Sequence, residues 1–468
     1  MAKSSSWILT GALLAVTALT SCRGPRTSDA EESHASTAIV DDPNTWMRFD
    51  ATGLYLVGRE RALDDAQVSA LRELRQRPWV RDSSAPRTDY LDIVRMDEPI
   101  VMARPRSVDE AIETVRIAAQ AGLPMRFQGR SHSMNGSSLA SPYELQIVST
   151  KIREVCRLDE TRIRAGAGIS MVGLDVWLRE RGLTVPVRND GGFGPSVGGY
   201  VSAGGFGAGS ESHGGFWSNV RSLSVIDGRA QLLEIPADDP RFPWFFGSAG
   251  QLGFVVAAEL DVLRVEGEEP EVPFEIGTCD EEPGNNEFAT RPGSAGYYWW
   301  SVFVPPAQEA EVVSALAEIA GAEREMEFLH PYRYAIVHRG VFPRLLLPAA
   351  GDAVVVGIWM TRPPREDEPH RRQVEAAARI DASVQALVEA RGLRRYLSAE
   401  TGGGAKTWRG NLGAETYAAF LEQKRALDPA HLFNRGLVFE CQDLACNLQI
   451  ELPASADDAD PQVEAPAD

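Results

Sequence analysis

One stretch between two strand-like runs constrains the fold most strongly: residues 126–138, which read RFQGRSHSMNGSS. It contains a single histidine, His132, and its residues Gly129, Ser131 and Ser133 are small. Small residues allow a ligand to approach the main chain, and glycine also adopts left-handed conformations that other residues resist. Backbone N–H groups presented in this way form a concave site for an anion such as a pyrophosphate. For this stretch alone, an ordinary surface turn is the alternative interpretation.

A second stretch is much richer in glycine: residues 187–215 read VRNDGGFGPSVGGYVSAGGFGAGSESHGG. A flexible linker is the alternative interpretation, but linkers lack large apolar residues such as Phe193, Val197 and Phe206. A main chain held close to a planar, phosphate-bearing cofactor accounts for both the glycines and the apolar residues. A third glycine turn leads into a long apolar strand within residues 247–262, which is typical of a buried strand.

Strands and helices alternate around the glycine turns, which indicates an α+β fold. Ser107 and Glu110 form a capping box, so a helix is predicted to begin there, after the apolar run at residues 100–103. Ser170 is predicted to cap a second helix. The apolar face predicted for that second helix consists of Val172, Leu174, Val176 and Leu178.

Four segments resemble, in order and spacing, the flavin domain of the vanillyl-alcohol oxidase / p-cresol methylhydroxylase type. They read GRSHSMNGSS, GPSVGGYVSAGGFG, SHGGFWSNVRSLSVIDG and GSAGQLGFVV. Within that family the motifs are most similar to those of cytokinin dehydrogenases and berberine-bridge-type oxidases. The resemblance covers about residues 97–262 and a return segment at residues 427–439. It implies a two-lobed FAD-binding domain of the p-cresol methylhydroxylase type, with an α+β substrate cap made of an antiparallel sheet plus helices.

The resemblance also implies which residues bind the cofactor. FAD is expected with its pyrophosphate on residues 129–133 and with a covalent bond from His132 to the 8α-methyl group of the flavin. An unlinked histidine close to the flavin is the alternative. Relatives usually have glycine just before this histidine, and Ser131 is small enough to allow the turn. Gly194 stands where berberine-bridge relatives carry a second linking cysteine, so a single link is expected. The residues at cofactor-binding positions are Phe127, Gly129, Arg130, Ser131, His132, Ser133, Ser137, Asp190, Ser196, Gly198, Gly199, Ser202, Phe206, Val255 and Asn434.

The same resemblance points to a catalytic base. Cytokinin dehydrogenases carry an aspartate that accepts the substrate proton, and Asp190 is the only carboxylate near that position. It stands one residue further upstream than expected, and a turn aspartate before Gly191 is the alternative interpretation. Glu211, His213 and His338 are weaker candidates for this role. No metal-ligand spacing occurs in the sequence.

The second half of the chain is expected to cover the flavin. The strand-like runs at residues 297–304 and 353–360, with a long helix at about residues 370–391, predict an antiparallel sheet backed by helices. Most aromatic side chains here are expected in the sheet core, with about one in three reaching the pocket. The aromatic candidates are Tyr298, Trp300, Tyr332, Tyr334 and Trp359.

The first residues have the pattern of an export signal. Lys3 precedes an apolar run from Trp7 to about Leu19, which is short for a membrane span. The ending Leu-Thr-Ser-Cys resembles the bacterial lipobox, which implies lipidation of Cys22. An ordinary signal peptide with a chance cysteine is the alternative. The expected location is therefore lipid-anchored at the bacterial cell envelope, on the periplasmic side.

The charge and cysteine content of the chain add two further expectations. Its formal net charge of −19 argues against nucleic acid as a partner. Cys441 and Cys446 are close enough in sequence to form a disulfide, whereas Cys156 and Cys279 are expected to be free, buried thiols.

The expected segments are a lipoprotein signal peptide (1–22), a flexible tether (23–44), the FAD-binding domain (45–265), the substrate cap (266–415), the return to the FAD domain (416–452) and a disordered tail (453–468).

Together these features predict an exported, FAD-dependent oxidase or dehydrogenase. It would take a hydride from a small alcohol, amine or sugar onto flavin N5. The expected partners are the small-molecule substrate, O2 or another electron acceptor, and the membrane through a lipid anchor only. The alternative is a catalytically inactive lipoprotein that keeps the FAD fold and acts as a binding or scaffold protein. His132 and the dense glycine turns favour the enzyme.

Overall fold

The computed structural model describes residues 47–50, 53–56, 64–90, 94–141, 144–189, 194–267, 270–281, 296–362, 368–399 and 405–439. These residues all belong to one compact unit. The export signal with Cys22, the tether, the tail, Asp190 and the pair Cys441 and Cys446 lie outside the described residues. None of the described helices is long and apolar enough to span a bilayer.

The helices of the described chain are α1 (Asp65–Arg75), α2 (Val108–Ala121), α3 (Met171–Arg179), α4 (Val197–Ala203), α5 (Ser210–His213), α6 (Glu309–Ala322), α7 (Glu368–Arg391) and α8 (Ala405–Leu427). Short 3-10 turns occupy Phe216–Asn219, Phe242–Trp244, Pro306–Gln308 and Leu397–Ala399.

The strands of the first half are β1 (Met47–Asp50), β2 (Gly53–Leu56), β3 (Val80–Ser83), β4 (Arg87–Thr88), β5 (Arg95–Met96), β6 (Ile100–Ala103), β7 (Met125–Gln128), β8 (Leu145–Val148), β9 (Glu154–Arg157), β10 (Arg162–Gly166) and β11 (Leu183–Thr184). The later strands are β12 (Val220–Ile226), β13 (Leu232–Pro236), β14 (Phe254–Asp261), β15 (Leu263–Arg264), β16 (Cys279–Glu281), β17 (Gly296–Val304), β18 (Phe328–Ile336), β19 (Ala353–Arg362) and β20 (Arg394–Arg395).

The first large sheet has the strand order β3-β6-β8-β7, with β6 and β7 parallel to β8. Helix α2 connects β6 to β7 and begins where predicted, because the Ser107 side chain accepts a hydrogen bond from the Glu110 N–H. The predicted capping box is only half formed, since the Glu110 carboxylate accepts from the Arg106 N–H. The helix ends at Gly122, which takes the left-handed conformation typical of a C-terminal cap (φ 65°). Strand β7 then runs directly into the loop at residues 129–138, so this sheet positions the loop.

The second large sheet is antiparallel, with the order β13-β12-β14-β10-β9-β16. Helix α3 is capped by Ser170 as predicted, but its predicted apolar face is wrong at Val176, which is 48% exposed. The predicted residues recur every second position, which is the spacing of a strand, whereas one helix face repeats every three to four residues. The side chains that α3 buries in the core are Met171, Leu174, Trp177 and Leu178.

A third large sheet, with the order β18-β19-β17-β20, is antiparallel throughout. Helices α6 and α7 cover one of its faces, and their apolar residues share a core with that face. The sheet with these two helices, called the cap below, has the antiparallel, helix-backed arrangement expected from the sequence.

Cys156 and Cys279 form a disulfide, which corrects the expectation of free thiols. They are directly opposite each other in the antiparallel pair of β9 and β16, with their Cα atoms 3.9 Å apart. The two residues are separated by 123 positions in sequence, so the pairing depends on sheet topology and not on local spacing. The bond ties β16, the last described strand before the cap, to its neighbour β9 within the second large sheet.

Candidate functional site

One cavity of about 600 Å³ joins the glycine-rich loops to the cap. Its volume falls within the range of about 300–1,000 Å³ that is usual for cofactor and small-molecule sites. Every residue that the sequence predicted for cofactor binding lines it, apart from Asp190, which lies outside the described part of the chain. These lining residues are Phe127, Gly129, Arg130, Ser131, His132, Ser133, Ser137, Ser196, Gly198, Gly199, Ser202, Phe206, Val255 and Asn434.

The first glycine loop has the tight turn expected from its small residues. Ser131 adopts a left-handed conformation (φ 52°) that non-glycine residues seldom take, so serine makes the turn for which relatives use glycine. The Gln128 side chain donates a hydrogen bond to the Ser131 hydroxyl, which holds the residue in this conformation.

Gly129 brings the first glycine loop against the second. A Cβ atom at Gly129 would lie 2.0 Å from Ser196 Oγ, so any larger residue here would have to displace the Ser196 hydroxyl. The Ser196 hydroxyl accepts a hydrogen bond from the Gly199 N–H at 3.1 Å and caps α4. The two loops therefore form one continuous wall of small residues along the cavity.

His132 has an aromatic neighbour that the sequence gave no reason to choose. The Tyr90 ring stacks on the imidazole, with ring centroids 4.0 Å apart and an interplanar angle of 21°. The Tyr90 main-chain N–H donates to the Ser133 carbonyl at 3.0 Å, which ties the two segments together. Tyr90 lies outside the matched motifs, so sequence reasoning missed it.

Asn434 joins three segments that meet at the cavity. Its Oδ1 accepts from the Phe127 N–H at 3.0 Å, its Nδ2 donates to the Ala249 carbonyl at 2.7 Å, and its main-chain N–H donates to the Met125 carbonyl at 2.8 Å. The return segment thus continues the edge of the first large sheet, where Phe433 forms a bridge with Met125. Asn434 lines the cavity, its amide holds the loops in position, and its contact with the cofactor stays a prediction.

The cap contributes aromatic side chains to the cavity. Tyr332, Tyr334 and Trp359 line it. Three of the five aromatic candidates therefore reach the cavity, and the expectation that most would lie in the sheet core is wrong. Tyr298 and Trp300 instead lie in the core between the sheet and its helices, as expected for the remaining candidates. Trp299 and Tyr396 are further aromatic lining residues on this side that sequence reasoning missed.

The candidate catalytic bases that the structure describes lie away from the cavity. Glu211, His213 and His338 do not line the cavity. Asn189, which directly precedes Asp190, does line it. Among the described lining residues there is no carboxylate, so the role of Asp190 stays a prediction.

The lining residues fit FAD in chemistry as well as in size. Arg130 and the small residues of the first loop offer one cation, hydroxyls and main-chain groups, which suit a pyrophosphate. Phe127 and Phe254, which stack with centroids 4.7 Å apart, add flat apolar surface together with Val255. Beside them, His132 carries the ring nitrogen atoms that a covalent link requires.

Residues 99–235 match the model of the FAD binding domain family. This part of the chain is an FAD-binding domain. The match covers the first two glycine loops and His132, and it confirms the resemblance to FAD-linked oxidoreductases.

Three curated proteins show similarity to parts of the chain. An uncharacterised oxidoreductase of the fasciation locus of Rhodococcoides fascians is 30% identical over 37% of this chain and 39% of its own length. D-arabinono-1,4-lactone oxidase of Eremothecium gossypii is 29% identical over 35% of this chain and 32% of its own length. Cytokinin dehydrogenase 5 of Arabidopsis thaliana is 24% identical over 39% of this chain and 35% of its own length. The chain therefore spans less than two fifths of each of these relatives.

Proposed function

We propose that the protein is an exported, FAD-dependent oxidoreductase that oxidises a small alcohol, amine or sugar. The observation that carries this proposal is the single cavity in which His132, the glycine loops and the aromatic side of the cap meet. All three relatives have names that denote oxidoreductases, oxidases or dehydrogenases. When bound, FAD supplies a ring that accepts a hydride from a C–H bond next to nitrogen or oxygen.

The loops hold the cofactor in this proposal. Residues 129–133 bind the pyrophosphate through main-chain N–H groups, with the Arg130 guanidinium adding charge. His132 forms the single covalent link to the flavin 8α-methyl group. The stacking of Tyr90 on the imidazole supports this role, because it fixes the orientation of the ring that makes the bond.

Asp190 is proposed to accept the proton that the substrate hydroxyl or amine loses. The residue before it in sequence, Asn189, lines the cavity, which supports this proposal. A carboxylate that is shielded from water has a raised pKa and is a stronger base, which suits this role. The partners of the reaction are a small-molecule substrate and O2 or another electron acceptor.

The proposed location is the periplasmic side of a bacterial cell envelope, through a lipid on Cys22. The disulfide between Cys156 and Cys279 supports export, because such bonds persist in oxidising compartments and are rare in the cytosol. Labelled fatty acid on the wild-type chain, and none on Cys22→Ser, tests the anchor.

The visible spectrum of the purified, full-length protein tests the enzyme proposal. We expect flavin absorption bands that remain with the protein after acid precipitation, because a covalent bond survives denaturation. A colourless protein that also fails to take up added FAD would contradict the proposal. That outcome would leave the alternative of a binding or scaffold lipoprotein that keeps the fold without the chemistry.

A further inference from the structure

The cap, together with Phe206 of the second glycine-rich loop, presents a continuous aromatic surface to the cavity. We propose that this surface takes a flat, uncharged ring of the substrate, an inference that rests on the proposed function. The surface, called the aromatic wall below, consists of Phe206, Trp299, Tyr332, Tyr334, Trp359 and Tyr396.

The rings of the wall contact one another, so they form one surface and not scattered side chains. Trp299 is central: its ring centroid lies 5.7 Å from Tyr332, and it lies 5.9 Å from both Trp359 and Tyr396. Phe206 closes the other side, 5.1 Å from Tyr396. Most of these pairs are tilted or edge-on, which is the arrangement that aromatic rings prefer.

The pairing of β18 with β19 determines the position of the Tyr332 ring. A Cβ atom at Gly357, its neighbour across the sheet, would lie 2.4 Å from the Tyr332 ring. The glycine therefore allows the tyrosine to lie across β19. The Tyr332 hydroxyl hydrogen-bonds with the Ser301 hydroxyl and accepts from Trp299 Nε1. Because these contacts engage the hydroxyl within the protein, Tyr332 offers the cavity mainly its ring.

The charge of the cavity favours the same class of ligand. Among the described lining residues, Arg130 is the only Lys, Arg, Asp or Glu side chain, and it belongs to the glycine loop and not to the wall. Burial raises the pKa of the hydroxyls of Tyr332 and Tyr396, so both remain neutral at physiological pH. A neutral wall of ring faces suits an uncharged aromatic ring, since it offers few groups to bind several hydroxyls or a carboxylate.

The wall therefore favours aromatic alcohols or amines over sugars. A sugar ring can pack on aromatic faces, but its hydroxyls also need polar partners, of which the wall offers few. Stacking against aromatic rings contributes a free energy that corresponds to roughly tenfold in affinity at the upper end of its usual range. A saturated ring of similar size does not gain this stacking free energy. The preference for a flat ring over a saturated one is thus the direct signature of the wall.

Binding of three probes to the full-length protein tests the inference: benzyl alcohol, cyclohexylmethanol and D-glucose. Tryptophan fluorescence reports the dissociation constants whether or not flavin is present. We expect benzyl alcohol to bind about tenfold more tightly than cyclohexylmethanol, and D-glucose to bind most weakly. Equal affinity for the two alcohols, or tighter binding of D-glucose, would overturn the inference.

Variants of the aromatic wall test whether its side chains cause the preference for benzyl alcohol over cyclohexylmethanol. Trp299→Leu and Trp359→Leu should each reduce the ratio between the two alcohols several-fold. Phe328→Leu is the matched control, since Phe328 is an aromatic residue of the same sheet that is exposed and does not line the cavity. An unchanged ratio in a folded wall variant would contradict the inference. The ratio measured for the wild-type protein decides the matter even if both wall variants fail to fold.

The flavin spectrum separates this inference from the function on which it rests. Protein that contains flavin but shows no preference for benzyl alcohol refutes the role of the wall alone. Protein that takes up no flavin refutes the proposed enzyme, whatever the binding data show.

Discussion

Lys424 and Asp428 form an ion pair inside the protein, with Lys424 Nζ 2.7 Å from Asp428 Oδ2 and side chains 1% and 0% exposed. The ammonium group also donates to the carbonyls of Gln251 and Phe433, at 3.0 and 2.8 Å. The carboxylate accepts from the N–H groups of Leu432 and Phe433, at 3.1 and 2.8 Å. The pair therefore fixes the turn that delivers the return segment to the cavity.

Removing one member of this pair should destabilise the protein strongly. We expect Asp428→Ala to lower the free energy of unfolding by about 3–5 kcal/mol, because it leaves the Lys424 charge buried without its counter-ion. Asp82→Ala is the matched control. It breaks the exposed pair with Arg75 and should cost at most about 1 kcal/mol. Urea unfolding measures the free energy of unfolding of both variants. Similar losses would show that the buried ion pair contributes no more to stability than the exposed one.

The proposed covalent link gives a direct prediction for His132. We expect His132→Ala to bind FAD but to release it on denaturation, since the described lining residues include no cysteine or second histidine that would replace the bond. Acid precipitation followed by a flavin spectrum of the pellet measures this. Flavin that stays on the denatured His132→Ala chain would assign the link to another residue.

Replacing Asp190 should lower the rate of flavin reduction and leave the binding of FAD unchanged. Asp190→Asn should keep covalent FAD and lose at least about tenfold in the rate of flavin reduction by substrate, which is at the low end for a general base. Asn keeps the size of the side chain and removes its capacity to accept a proton. Anaerobic stopped-flow reduction measures the rate, and a rate equal to that of wild type would place the base elsewhere.

The family resemblance, and not local sequence patterns alone, supplied the residues predicted for the cofactor side of the cavity, and several of these residues also meet local demands of the chain. Gly129 and Ser131 occupy a close approach and a left-handed turn, and both requirements restrict the residue type at that position. The predicted residues of all three glycine loops accordingly line one cavity, except for Asp190 outside the described part.

The cap side was harder to predict, because the choice of face depends on packing. Strand β17 has aromatic side chains on both faces, and alternation alone does not say which face meets the helices. Tyr298 and Trp300 turn to the helices and Trp299 to the cavity. The disulfide was missed for a related reason, since it depends on which strands become neighbours across 123 positions.

The disulfide between Cys156 and Cys279 should contribute measurably to stability. Closing a long loop restricts the unfolded chain, and such bonds typically contribute about 2–4 kcal/mol. We therefore expect urea unfolding of Cys156→Ser/Cys279→Ser to shift to lower urea by that free energy, and dithiothreitol to affect the wild-type protein alone. An equal effect of dithiothreitol on both proteins would point to a different disulfide.

Two tyrosines of the aromatic wall, Tyr332 and Tyr396, should titrate abnormally. Burial raises the pKa of both Tyr332 and Tyr396 in the folded protein, whereas a tyrosine in the unfolded chain ionises near pH 10. Because the folded-state pKa is the higher one, the stability that each residue contributes is complete below about pH 10. It is lost as the pH rises further, since the unfolded state then gives up its protons first.

Phenolate absorbance near 295 nm tests this against Tyr332→Phe/Tyr396→Phe, which removes both hydroxyls and keeps both rings. At about pH 11 the folded wild-type and variant proteins should show the same number of phenolates, while in urea the wild type should show two more. Above about pH 10 the wild type should also lose stability faster than the variant, by up to about 1.4 kcal/mol per pH unit for each tyrosine. Two extra phenolates in the folded wild type at that pH would mean that solvent reaches both hydroxyls, and that the wall is open to water.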